Sequence, residues 1–181
     1  NISPDDVRCA EQAEMSIKLL GRYVRVSDDK ICVFVAPHLV QKNKPIATVS
    51  DVFNGIVVHG NAVGEVMFYG QGAGKMPTAS AVVADVIDAA RHIDKTKNVD
   101  LWGDGGDFVE DYRVLNESYF VRAENLSDAV TDIFGDVQMI NSENIDGCAF
   151  ITGKMSGFDF EKKIAELRKE TDVFSTIRVL P

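Results

Sequence analysis

The stretch TASAVVADVIDAA, residues 78–90, leaves a helix almost no polar face. Ala79, Ala81, Val82, Val83, Ala84, Val86, Ile87, Ala89 and Ala90 fall on every side of a helix drawn over 78–92. A helix that is apolar all round is stable in water only when other elements cover it. The pattern therefore predicts a buried helix, packed between a sheet and something else. Directly before it stands YGQGAGKMP, residues 69–77, with glycines at 70, 72 and 74, then Lys75 and Pro77.

Alternating glycines between a strand and a helix allow two things. The backbone can take positive φ, and a ligand can approach it without meeting a Cβ. Successive N–H groups can then converge on one point, where the helix dipole adds partial positive charge, and an anion such as a phosphate fits there. The spacing is not the dinucleotide fingerprint GxGxxG, which needs one more residue. Nor is it GxxxxGK[ST], because Met76 stands where a magnesium-binding hydroxyl should be. A turn whose glycines only let sheet and helix pack closely is the competing reading, and the spacing alone leaves both open. Lys75 is a candidate for reaching a phosphate.

The elements before the loop are a helix over 4–15, opened by Ser3-Pro4-Asp5-Asp6, and a hairpin of SIKLLGRYVRVS and KICVFVAPHLV about Asp28-Asp29. Asn43-Lys44-Pro45 marks a turn. FNGIVVHG and GEVMFYGQG read as two further strands about Asn61. Short connections favour a mostly antiparallel sheet. Residues 94–118 are acidic and glycine-rich and read as a linker, with Trp102 anchored on one side. After it the order is β-α-β-β-α-β over 119–181, a ferredoxin-like unit with its helices on one face of a four-stranded antiparallel sheet. The fold class is α+β: a mostly antiparallel sheet with a buried helix, then the ferredoxin-like part.

Composition narrows the partners. Nineteen Lys and Arg against 28 Asp and Glu give a net charge of −9, which argues against nucleic acid. No apolar run is long enough to cross a bilayer, and the first residues lack a signal-peptide pattern, so the expectation is a cytoplasmic protein with no membrane partner. Cys9, Cys32 and Cys148 are widely spaced among apolar neighbours and read as small buried residues. His38, His59 and His92 fit no metal-ligand spacing, so they are read as surface or satisfied histidines and no metal site is assigned.

The segment FNGIVVHGNAVGEVMFYGQGAGKMPTASAVVADVIDAA closely resembles homoserine dehydrogenase, as do IKLLG at 17–21 and NKPIATV at 43–49. The resemblance implies NAD(P)H-dependent interconversion of aspartate semialdehyde and homoserine, with NADP or NAD as cofactor, on the route to threonine, methionine and isoleucine. It implies that Gly74, and after it Gly72, lie against the cofactor, with Gly70 a turn residue. It implies a homodimer through the sheet of residues 15–60, using apolar surface such as Val33, Val35, Val57 and Val58. Residues 1–93 would be the C-terminal part of the substrate-binding and dimerisation domain. Residues 119–181 would be an ACT-like regulatory domain, a place for an amino-acid effector.

The family's dinucleotide fingerprint and catalytic lysine segment have no counterpart in these 181 residues. The chain therefore reads as a C-terminal portion, without a catalytic residue of its own and inactive alone. It departs from the family at Lys44-Pro45, where many members have His-Pro. It departs again at residues 125–129, which lack the glycine that effector-binding ACT domains carry at the first helix. The alternative is a non-catalytic, amino-acid-sensing dimer of the ACT type.

Overall fold

The computed structural model describes residues 2–95, 105–125, 128–141 and 145–181. It is α+β, and it divides into two compact units, one of residues 1–47 with 107–181 and one of 48–106. This division differs from the boundaries at 93 and 119 read from the sequence. The reason is a strand pairing that no local pattern announces, described below.

The first unit opens with helix α1, Pro4–Gln12. Ser3 caps it: its hydroxyl accepts from the Asp6 N–H, and Asp6 in turn accepts from the Ser3 N–H. The helix stops short of the expected residue 15 because Glu14 turns to a φ of 55°. Met15 then starts strand β1, Met15–Arg25, which pairs antiparallel with β2, Ile31–Gln41.

The later elements of this unit are β5 (Asn116–Glu117), β6 (Tyr119–Ala123), α3 (Asp128–Phe134), β7 (Val137–Ile140), β8 (Cys148–Thr152), β9 (Met155–Ser156), α4 (Gly157–Leu167) and β10 (Val173–Val179). The second unit holds β3 (Phe53–Gly60), β4 (Gly64–Gln71) and α2 (Lys75–Arg91). The main sheet has six strands in the order β1-β2-β10-β6-β8-β7. All its pairs are antiparallel except β2 with β10, which run parallel at Arg178–His38 and Val179–Leu39. That contact welds the N-terminal hairpin to the last strand. β3 and β4 do not extend this sheet; they form a two-stranded sheet of their own.

Strand β6 is buried at every residue, so both sheet faces are covered. On one face Phe120, Leu39, Ile151 and Ile177 pack with Cys9 and Ala10 of α1. On the other, Tyr119, Val121 and Phe150 pack with Val130 and Phe134 of α3 and with Phe160, Ile164 and Leu167 of α4. The sequence placed helices on one face only; α1 supplies the second layer. Burying a Phe or Leu side chain contributes about 1.5–3 kcal/mol.

Residues 107–118 are no free linker. Phe108 and Glu110 bond Ile31 through their backbones at 2.8 and 2.7 Å, and the Tyr112 ring stacks on Phe34 at 5.0 Å. Aromatic surface wins there over a composition that looks like loop. Trp102 lies outside the described residues.

The expected burial of α2 is also overturned. None of its residues is buried, and Val82, Val83 and Val86 are 57%, 56% and 62% exposed. The apolar pattern does form a helix, but one whose apolar residues are exposed.

Asp6 is a fully buried polar group of the first unit. Its carboxylate accepts from Ser3 N (2.7 Å), Ser3 Oγ (3.0 Å), Arg122 Nε (2.8 Å) and Ser175 Oγ (2.5 Å). Burial alone would raise its pKa, but these donors outweigh it and hold the carboxyl below the usual range. Asp6→Asn is expected to cost about 3 kcal/mol in urea unfolding at pH 7, because Arg122 loses its buried counter-charge. The native carboxylate contributes stability above the unfolded pKa of about 4, and that contribution fades as pH falls through the lower folded value. The gap between wild type and variant should therefore narrow steadily on acidification below about pH 4.

Candidate functional site

Strand β4 ends at Gln71, Gly72 and Ala73 turn the chain, and Gly74 is the N-cap of α2. Sequence reasoning therefore put Gly72 and Gly74 on one loop correctly, but the two glycines are bare for different reasons. Gly74 has φ 115° and ψ 154°, a conformation that L side chains rarely adopt. A Cβ there would meet only Pro77, at 3.5 Å. At Gly72 a Cβ would collide with the amide of Asn54 from β3. Gly70 sits in β4 opposite Asn54, with open space around it.

The start of α2 has no side-chain cap. Pro77 has no N–H, and the Thr78 N–H is already given to Gly74 O at 3.2 Å. The Lys75 and Met76 N–H groups are thus the donors left at the positive end of a 17-residue helix. Lys75 itself is exposed at the first helical position. This loop can receive an anionic or extended ligand against bare backbone.

A second polar constellation escaped the sequence reading. Glu117 is buried at 2% exposure between Arg22 and Arg178, with Arg178 Nη1 at 2.6 Å. His38, expected to be surface or satisfied, is buried and satisfied. Its Nδ1 faces the Ala36 carbonyl at 2.8 Å and its Nε2 faces Arg22 Nη1 at 3.2 Å. The carbonyl can only accept, so Nδ1 carries the proton and Nε2 accepts from the arginine. Burial pushes the His38 pKa down, with the arginines adding to the effect. These four residues come from β1, β2, β5 and β10, so no spacing in the sequence could join them.

Cys9 and Cys32 are buried and Cys148 half-buried, and burial raises each thiol. Among the described residues no group of His, Cys, Asp and Glu could hold a metal ion, and no helix is long and apolar enough to cross a membrane.

The family model for homoserine dehydrogenase matches residues 1–87. This stretch belongs to the homoserine dehydrogenase family. Homoserine dehydrogenase of Corynebacterium glutamicum is 44% identical over 96 residues, covering 51% of this chain and 22% of that protein. The Bacillus subtilis homoserine dehydrogenase is 39% identical over 108 residues, 60% of this chain and 23% of that one. The solved homoserine dehydrogenase of Thiobacillus denitrificans superposes with a TM-score of 0.80 at 26% identity, over 99% of this chain and 46% of that one. The S. aureus enzyme at pH 7.0 shares the fold with a TM-score of 0.70. The matches thus span about a fifth of these curated homoserine dehydrogenases and less than half of the solved chains.

The two glycines make separable demands. Gly72→Ala is expected to destabilise the loop by about 1–3 kcal/mol through overpacking, and Asn54→Ala in the same chain should restore most of it. Gly74→Ala should cost about 1–3 kcal/mol through φ strain, with no relief from Asn54→Ala. Melting curves of the four variants, followed by helical circular dichroism, give the comparison.

Proposed function

We propose that this chain works as part of a homoserine dehydrogenase, interconverting aspartate semialdehyde and homoserine with NADPH or NADH. The carrying observation is Gly74: it heads α2 at positive φ, in the family-matched segment, with space where a side chain would be. Gly74 lets the cofactor approach bare backbone. Gly72 keeps the loop against Asn54, and the Lys75 and Met76 N–H groups offer donors to an anionic part of the cofactor. The cofactor, when bound, supplies the hydride. We assign no catalytic residue to these 181 residues. The matches favour this reading over a non-catalytic amino-acid sensor.

Residues 119–181 are proposed as a ferredoxin-like, ACT-like regulatory domain. Support comes from the sheet order β10-β6-β8-β7, antiparallel throughout, with α3 and α4 sharing one core. An amino-acid effector belongs to this proposal; residues 126–127, where its helix would begin to hold one, lie outside the described residues. The enzyme is proposed to act in the cytoplasm as a homodimer. Leu19, Tyr23, Val33 and Val35 support this: they alternate along paired positions of β1 and β2 and are 72%, 67%, 54% and 70% exposed. Val58 is 46% exposed on β3, while Val57 is half-buried.

Purified 1–181 is expected to oxidise no NADPH with aspartate semialdehyde, since it carries no dinucleotide fingerprint. A chimera in which residues 1–87 replace the aligned segment of the Corynebacterium glutamicum enzyme should turn over at about 1 per second or more. A folded, dead chimera would sink the proposal. In the active chimera Gly74→Val should raise the cofactor Michaelis constant about tenfold or more. An earlier melt with a normal constant would make Gly74 a packing residue.

Light scattering of the 19.9 kDa chain at micromolar concentration should give about twice that mass. Val35→Glu should return it to monomer. A wild-type monomer across a tenfold concentration range contradicts the interface.

A further inference from the structure

The first unit contains a cavity of about 510 Å³ that the dehydrogenase reading does not use. It opens between β2, β10 and α4. This size is in the range of small-molecule sites. Phe34, Phe160 and Ile164 give it an apolar wall.

Its polar end is built from Tyr119 and Arg178. Tyr119 is 3% exposed, its ring stacked on Phe160 at 3.8 Å, and its hydroxyl finds no acceptor for its proton, with Arg178 placed to donate to it. The charged group beside it is Arg178, whose Cζ lies 5.1 Å from the ring centre. A guanidinium can only donate, so it offers no acceptor for the phenolic proton. Arg178 commits one N–H to Glu117 and stands among the rings of Phe34, Tyr112 and Tyr119. A buried hydroxyl lacking an acceptor is costly, and a second group that also needs an acceptor lies beside it.

The charges agree with this. Glu117 is shared by Arg22 and Arg178, leaving one positive charge at the polar end. At the rim Arg113 is shared by Asp111 and Glu161, which leaves one negative charge there, and Arg168 adds a cation that offsets it. We propose that this cavity binds a small organic monocarboxylate with an apolar, aromatic-sized body, its carboxylate accepting from Tyr119 Oη and the Arg178 guanidinium. The proposal does not depend on the dehydrogenase reading: it uses neither the glycine loop nor any residue of the second unit.

Calorimetric titration of the full chain with 3-phenylpropionate, its neutral analogue 3-phenylpropanol and inorganic phosphate tests it. The carboxylate should bind saturably, about tenfold or more tighter than the alcohol or phosphate. Tyr119→Phe keeps the stack on Phe160 and removes the hydroxyl; it should weaken the carboxylate about tenfold at an unchanged or higher melting temperature. Arg168→Gln, on the exposed end of α4, should weaken it roughly threefold and leave the alcohol unchanged. Three results would each overturn the proposal: no saturable carboxylate binding to folded wild type, equal binding of alcohol or phosphate, or a folded Tyr119→Phe that binds as wild type does.

Discussion

One carboxylate ties the larger unit together. Asp6 accepts from its own helix cap at Ser3, from Arg122 in the middle of the sheet and from Ser175 on the last strand. Arg122 also gives an N–H to Asp146 O and lies over the Phe174 ring. An ion pair this buried offsets its desolvation only when every lone pair and donor is used. Here the carboxylate accepts four hydrogen bonds and Arg122 gives three, to Asp6, Ser3 and Asp146, and the consequence is geometric: α1 is held to the sheet through its own first turn. With α1 fixed, Cys9 and Ala10 close the face of the sheet that holds Phe120 and Ile177.

Local signals were legible and distant ones were not. Ser3-Pro4-Asp5-Asp6 announced a helix start, and the capping box is there. The hairpin about Asp28-Asp29, the strands about Asn61 and the β-α-β-β-α-β order all follow from periodicity and turn residues within a dozen positions of each other. The meeting of His38 and Leu39 with Arg178 and Val179 has no such signal. It decides which parts of the chain form one compact unit, and the units therefore cut across the boundaries at 93 and 119. Residues 107–118 were misread for the same reason: Tyr112 is a loop residue until Phe34 supplies a ring to stack on.

The glycine loop was partly legible. Alternation of glycines showed that bare backbone was needed between strand and helix, but it could not separate the two reasons for it. Gly74 answers to φ and Gly72 to the Asn54 side chain. Neither an angle nor a cross-strand neighbour is written in spacing. The Glu117, Arg22, Arg178 and His38 cluster was silent altogether, since charged residues in strands usually face water and these do not.

The parallel contact between β2 and β10 also sets an order of events during synthesis. The β1–β2 hairpin can close as soon as it leaves the ribosome, but its neighbour in the sheet is translated about 140 residues later, on the order of 10 s at ordinary elongation rates. Through that interval β2 carries an unpaired edge at His38 and Leu39, and an open strand edge is the kind of surface that recruits other strands. The nascent chain is therefore most prone to aggregate in its middle age, after the hairpin forms and before the last strand arrives, and a chaperone that shields strand edges would act on it then.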